Sequence, residues 1–386
     1  MGRTMAKTVD FNKIRRRRRM RETAKRLTIL AVIVVFVGLV FLVNSLLVEE
    51  KLSTRVGDWV ESWGGSGYPV DLPGGVIRDT EEMGKNLVIL NDNNLFIYNN
   101  KGKIVTNIQQ MTEKTVMDAN DRQVLTFDVG SKKYQLHSPS RTIEKETENA
   151  ILAADINAKG YYALVTAPRQ FVAEVAVYRD PAEAHIFRWS SPEHHIAGVS
   201  LSPDGSRMAV SCAATEGGMM KTIITLFQLN MAEKAAEIEL PNSLALKIDF
   251  YANDRIGVLT DKEYVILDTA GKRVASYDFV DERIVRMESY DRAAMLLTEY
   301  REARHRQVIF LDRDGSAELQ MDFEESVRDI AMDKRYLYVL TDTGITCYNY
   351  AFKEVKKLEE RGIQGLQVVQ SKVYYYTAEE LHEWRT

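Results

Sequence analysis

Hydrophobic and polar positions divide the chain into two regimes. From Leu27 to Val48, 22 residues pass without a charge (LTILAVIVVFVGLVFLVNSLLV). At about 1.5 Å per helical residue this run is long enough for a ~30 Å hydrocarbon layer. From residue 68 onward the pattern becomes short β-type runs separated by turn-forming residues. Between the two, Leu52, Val56, Trp59, Val60 and Trp63 recur at helical spacing ahead of Gly64-Gly65-Ser66-Gly67. That spacing predicts an amphipathic helix and then a glycine hinge. The helix either extends the span or lies at the outer interface with Trp59 and Trp63 as anchors, or it packs on the underside of the following domain.

The β region repeats. Three windows align without a gap over 20 residues: 86–105, 255–274 and 336–355. Leu90, Leu259 and Leu340 coincide, as do Asp92, Asp261 and Asp342, and Lys103, Lys272 and Lys353. Each window reads as strand, polar turn, strand, turn, strand. The three aspartates read as turn formers that accept backbone hydrogen bonds. The offsets of 81 and 169 residues are two and four units of about 40, the period of a four-stranded β-propeller blade. A single blade cannot cover both faces of its sheet, so blades stack radially and close. Inner strands are expected near Val76, Lys114, Ala150, His195, Leu246, Arg283, Ser326 and Gly365. The fold class is therefore all-β, an eight-bladed propeller with seven blades as the alternative. The last blade runs out after three strands, and Tyr68–Leu72 is expected to supply its outer strand, which removes an exposed edge.

Strand order gives the ring two distinct faces. Tight turns such as Ser202-Pro203-Asp204-Gly205 and Asp312-Arg313-Asp314-Gly315 mark one. The linker is expected to enter from this face, which then points to the membrane. Longer insertions mark the other: Ala213 to Met220, Tyr300 to His305, and Ser190 to His195. Long loops on one face of a rigid scaffold are where binding usually resides, the alternative being that loops of this length are merely tolerated insertions. Candidate partner-binding residues are Glu216, Met219, Met220, Tyr300, Arg304, His305, His194 and His195.

Charge sets the topology. Eleven Lys/Arg face only Asp10 and Glu22 in the first 26 residues, and Arg15, Arg16, Arg17, Arg18 and Arg19 are consecutive. Positive flanks stay cytoplasmic. The domains expected are a basic tail over 1–26, a transmembrane helix over 27–48, a juxtamembrane helix and hinge over 49–67, and an extracytoplasmic propeller over 68–386. A cleaved signal peptide fits less well, because the apolar run is long and ends in bulky Leu46-Leu47-Val48. Without the tail's 11 basic and 2 acidic residues, the totals of 51 and 55 become 40 and 53, a net of −13. That balance argues against nucleic acid as a partner. The arginine run beside a span reads as a topology signal and lipid contact.

Enzymatic signatures are sparse. There is no G-x-S-x-G, H-E-x-x-H, P-loop or G-x-G-x-x-G. His194 and His195 are adjacent, so on an extended strand they point to opposite faces and fit a shared metal ion poorly. Glu81-Glu82 and Glu324-Glu325 read as solvated turn residues. Tyr374-Tyr375-Tyr376 reads as packing between blades. Cys212 and Cys347 lie in different repeats, so two free, buried thiols are expected rather than a disulfide. No catalytic residue, metal or cofactor is assigned.

Val199-Ser200-Leu201-Ser202-Pro203-Asp204-Gly205-Ser206-Arg207-Met208-Ala209-Val210 resembles the repeat of WD-like and TolB-type propellers. With the basic tail and single span, the whole chain resembles an uncharacterised domain-of-unknown-function family (5711) of Gram-positive bacteria. The resemblance implies a WD-like or quinoprotein-like propeller and a membrane location, and supplies no catalytic residues. Only Trp189 and Trp384 lie in the ring, too few for the tryptophan docking motifs of quinoprotein dehydrogenases. The reading is a plasma-membrane, single-pass binding or scaffold module of the cell envelope, with a protein or envelope component bound on the face away from the membrane. The alternatives are a propeller-type hydrolase or dehydrogenase and a sensor coupled to the tail. An enzyme needs convergent titratable groups with perturbed pKa values, so a channel without them would remove that alternative.

Overall fold

The computed structural model describes residues 25–39, 52–109, 111–180, 184–279, 282–290, 293–300, 306–315, 318–323 and 325–385. Eight four-stranded antiparallel sheets follow one another along the chain. Their inner strands are Ile77–Met83, Thr115–Ala119, Ile151–Ile156, His195–Leu201, Ala245–Ala252, Glu282–Tyr290, Val327–Met332 and Gly365–Val369. Each begins within one residue of its expected start, so the blade count is eight.

Hydrophobic burial closes the ring. Eight buried clusters lie among the described residues, one at each junction between neighbouring blades. The second strand of blade 1 shows how: Val88 and Leu90 face blade 2, while Leu87 and Ile89 face blade 8. A strand buried on both faces reads as a continuous apolar run, here Leu87-Val88-Ile89-Leu90, rather than an alternating one. Each such side chain contributes about 1.5–3 kcal/mol on burial. Tyr374 packs toward blade 1 and Tyr375 toward blade 7, each on its own face of blade 8.

The first and last strands of the ring meet in blade 8. Val70–Asp71 forms its outer strand, pairing with Leu381 and Glu380, and the Leu72 amide extends the ladder to the Glu379 carbonyl. Cys212 and Cys347 are free and buried, and burial pushes both thiols up to about 12.

The aligned aspartates do not form the turns in common. The residue before each does: Asn91 Oδ1 accepts from the Asn93 and Asn94 amides, and Thr260 Oγ1 from the Lys262 and Glu263 amides. Asp261 instead accepts from the Leu244 amide at 2.7 Å, and Asp342 from Arg328 Nε at 2.6 Å. The expected loop from Ala213 to Met220 is also different. Strands Arg207–Glu216 and Met219–Gln228 pair through to Glu216↔Met219. Gly217 and Gly218 turn the corner at φ 59° and 83°, a geometry that matches strand twist.

The segment ahead of the glycines is an α-helix, Leu52–Glu61. The chain divides into two units between Val56 and Gly57, so the segment after Gly57 belongs with the ring. The expected hinge is a docked turn: Asn99 Nδ2 donates to the Ser62 and Gly64 carbonyls, and the Gly67 amide donates to the Lys101 carbonyl. Gly65, at φ 117°, lies so close to the Lys101 backbone that a Cβ would not fit. These contacts lie on the tight-turn face, where the linker was expected to enter.

Residues 25–39 form a helix whose apolar side chains, from Leu27 to Leu39, are exposed. The expected span runs on to Val48, and residues 40–51, like Arg15 to Arg19, lie outside the described residues. Among the described residues no helix is long and apolar enough to cross a membrane.

Candidate functional site

The inner strands enclose a cavity of about 770 Å³ lined from seven of the eight blades. Side chains two positions apart on a strand share a face, so each inner strand presents two levels to the channel. The first level carries Asp79, Lys247, Arg286 and Asp329; the second carries Glu81, Asp118, Asp155, Ser200, Asp249 and Glu288. A β-bulge precedes the first level in blades 1, 3, 4, 5, 6 and 7. Bulges re-aim side chains beside functional sites. Here they turn the charged pair of positions inward.

The second level staples blades 2 to 6 in succession. Asp118 accepts from the Ile156 amide, Asp155 from the Leu201 amide, and Ser200 Oγ from the Phe250 amide, at 2.8 to 3.0 Å. Asp249 accepts from the Ser289 hydroxyl. Across blades 6 to 8, Arg286 pairs with Glu288 and Asp329 at 2.9 Å, and Asp329 accepts from the Leu366 amide.

Carboxylates outnumber cations in the channel, and their protonation reflects it. Burial, opposed by two backbone hydrogen bonds, holds Asp118 up at about 6. Burial also raises Asp155 and Glu81, with Asp118 adding repulsion to both. Asp329 sits at about 6, raised by burial and pulled down by Arg286. Burial works against the Lys247 ammonium, yet Asp249, Glu288, Glu81 and Asp118 together hold it above its usual range. Burial and mutual repulsion therefore bias these channel carboxyls toward their protonated forms. The channel's titratable groups converge.

The chain matches the Family of unknown function (DUF5711) over residues 76–381, well over half its length. It belongs to that family. No curated protein matches. Among solved structures, Sqt1 of Saccharomyces cerevisiae is similar at TM-score 0.59 and 9% identity, covering 84% of this chain and 100% of that one. Hsv2p of Kluyveromyces lactis gives 0.47 at 10% identity, covering 64% and 85%. At such identities the first likeness concerns the fold alone.

The predicted binding residues of this DUF5711 chain are only partly gathered together. Met219 and Met220 are exposed at the tip of the blade 4 hairpin, and Glu216 pairs with Lys221 at 3.0 Å. Residues 214–216 and 219–221 pair only with each other, beyond the ends of the flanking strands. They form a two-stranded arm. His195 pairs with Ala213 at its base and is exposed, while His194 is half-buried. Tyr300 ends a blade 6 strand, and Arg304 and His305 lie outside the described residues. Trp59 and Trp63 are exposed and meet edge to face at 4.3 Å. Among the described residues no group of three His, Cys, Asp or Glu is placed to hold a metal ion.

The channel groups are absent from the predicted binding residues. Glu81-Glu82 is no turn: it lies in the strand Ile77–Met83, with Glu81 in the channel and Glu82 accepting from the Gln370 amide. The available signal was the charged i, i+2 spacing of Asp79/Glu81, Lys247/Asp249 and Arg286/Glu288 just ahead of a second strand.

Proposed function

We propose that this chain is a membrane-anchored extracytoplasmic propeller that binds a protein or envelope component on its loop-bearing face. Anchoring is supported by the arginine-rich tail and by the run of exposed apolar side chains from Leu27 to Leu39. One observation carries the binding reading. Val116, Leu246 and Val285 line the channel near the starts of their inner strands, and each leaves 41–59% of its surface exposed. Exposed apolar side chains in a charged channel, beside an arm tipped with Met219 and Met220, suit a partner segment with apolar side chains.

The test is photo-crosslinking of the full chain in its membrane. A crosslinker at Leu246 or Met219 is expected to capture one partner, and one at Lys159 on the tight-turn face is not. Capture at Lys159 alone would reverse the assignment of faces.

A second reading, a propeller-type enzyme, is kept by one observation. The channel does hold convergent carboxylates with raised pKa values. Most of them accept hydrogen bonds from the neighbouring blade, which gives them a structural role. Glu81 makes no such bond among the described residues, so Glu81→Gln is the variant that would abolish a channel-based activity.

A further inference from the structure

The helix Leu52–Glu61 is amphipathic, and it sits on the ring the wrong way round for a packed helix. Its polar side docks. Asp58 Oδ1 accepts from the Ser138 hydroxyl at 3.1 Å and from the Ser140 amide at 3.0 Å. Lys103 Nζ donates to the Glu61 and Trp63 carbonyls at 2.9 and 3.1 Å. The apolar side within the ring's own unit, Trp59, Val60 and Trp63, faces away, with 58%, 52% and 59% of each residue exposed. An amphipathic helix normally buries this stripe. Here polar contacts hold it outward in a fixed position.

We propose that this stripe is a foot that rests in the head-group layer of the bilayer and sets how the propeller stands on the membrane. The proposal rests on the anchoring reading above and adds an orientation to it. Two observations select lipid as the occupant. The helix begins at Leu52, four residues after Val48, the end of the uncharged run, a distance of at most about 14 Å when fully extended. Trp is the side chain that prefers the membrane–water interface, having an apolar body and a polar N–H.

The foot places blades 1 and 2 nearest the membrane and leaves the channel mouth and the blade 4 arm turned toward the envelope. It also separates two jobs within one helix: Asp58 fixes the helix to the ring, and the tryptophans fix the ring to lipid.

The experiment uses the full chain reconstituted in vesicles of phosphatidylcholine and phosphatidylglycerol, with brominated acyl chains as quenchers. Two of the four tryptophans lie in the foot, so about half of the emission is expected to be quenched. The loss should disappear in Trp59→Phe/Trp63→Phe, a change at exposed positions that leaves the fold intact. Equal quenching of both proteins, or none in either, with the protein still resistant to alkaline extraction, overturns the foot and leaves the anchor standing. Failure of the wild-type chain to enter the vesicles overturns the anchor itself. Trp59–Trp63 emission shielded without lipid, together with a dimer by sedimentation, assigns the stripe to a second copy and also overturns the proposal.

Discussion

Asp118 shows how one channel residue couples protons to stability. Its carboxyl is held at about 6, chiefly by burial, against roughly 3.9 in an unfolded chain. A raised carboxyl pKa contributes stability that is complete below the unfolded value and is lost as pH rises through the folded one. Unfolding temperature should therefore fall between about pH 4 and pH 7 by an amount worth on the order of 1 kcal/mol, reduced by channel water. Asp118→Asn keeps an acceptor for the Ile156 amide and removes the titration. Its melting curve against pH should be flatter, with a gain at neutral pH, as read by scanning fluorimetry. Parallel curves for the two proteins would remove Asp118 from the account. These acids were hard to find in the sequence for a physical reason. A channel wall is wet, so Asp79-Thr80-Glu81 alternates like any solvent-facing strand. Only closure of the ring turns that surface inward.

Elements were legible where burial dictated them and obscure where a few polar contacts decided. Second strands such as Leu87-Val88-Ile89-Leu90 announce themselves because both faces are covered. The helix Leu52–Glu61 was legible as amphipathic, but its facing depends on Asp58 and Lys103, whose partners lie dozens of residues away. The blade 4 arm read as a loop because strand pairing beyond the sheet leaves no burial signature. Asp58→Ala tests the clamp. Loss of its hydrogen bonds to Ser138 and Ser140 should leave the ring's melting unchanged and raise protease cutting near Gly64-Gly65 severalfold. Unaltered cutting would mean that Asn99 and Lys103 hold the segment alone.

At the scale of the whole molecule, closure depends on a very short strand. Val70–Asp71 covers the edge of Glu380–Trp384, and Tyr68 sets its ring on Tyr374 at 5.0 Å. Deleting 68–72 removes these contacts and exposes a strand edge. The expected cost is about 3–5 kcal/mol, with self-association through the open edge, measured by calorimetry and sedimentation. A monomer with wild-type melting would show that the eight inter-blade clusters suffice. The ring and its period were readable because each blade repeats the same burial problem. The ligand was not, because binding faces are where the repeats differ.

The docked turn between residues 61 and 67 has a mechanical consequence. Any pull on the N-terminal segment travels along the backbone toward the two-residue strand that closes blade 8. Before it arrives, Asp58, Asn99, Lys103 and the Lys101 carbonyl take the load onto blades 1 and 2. The arrangement works as a cable clamp does at a junction box: tension stops at the housing, and the connection inside carries none of it.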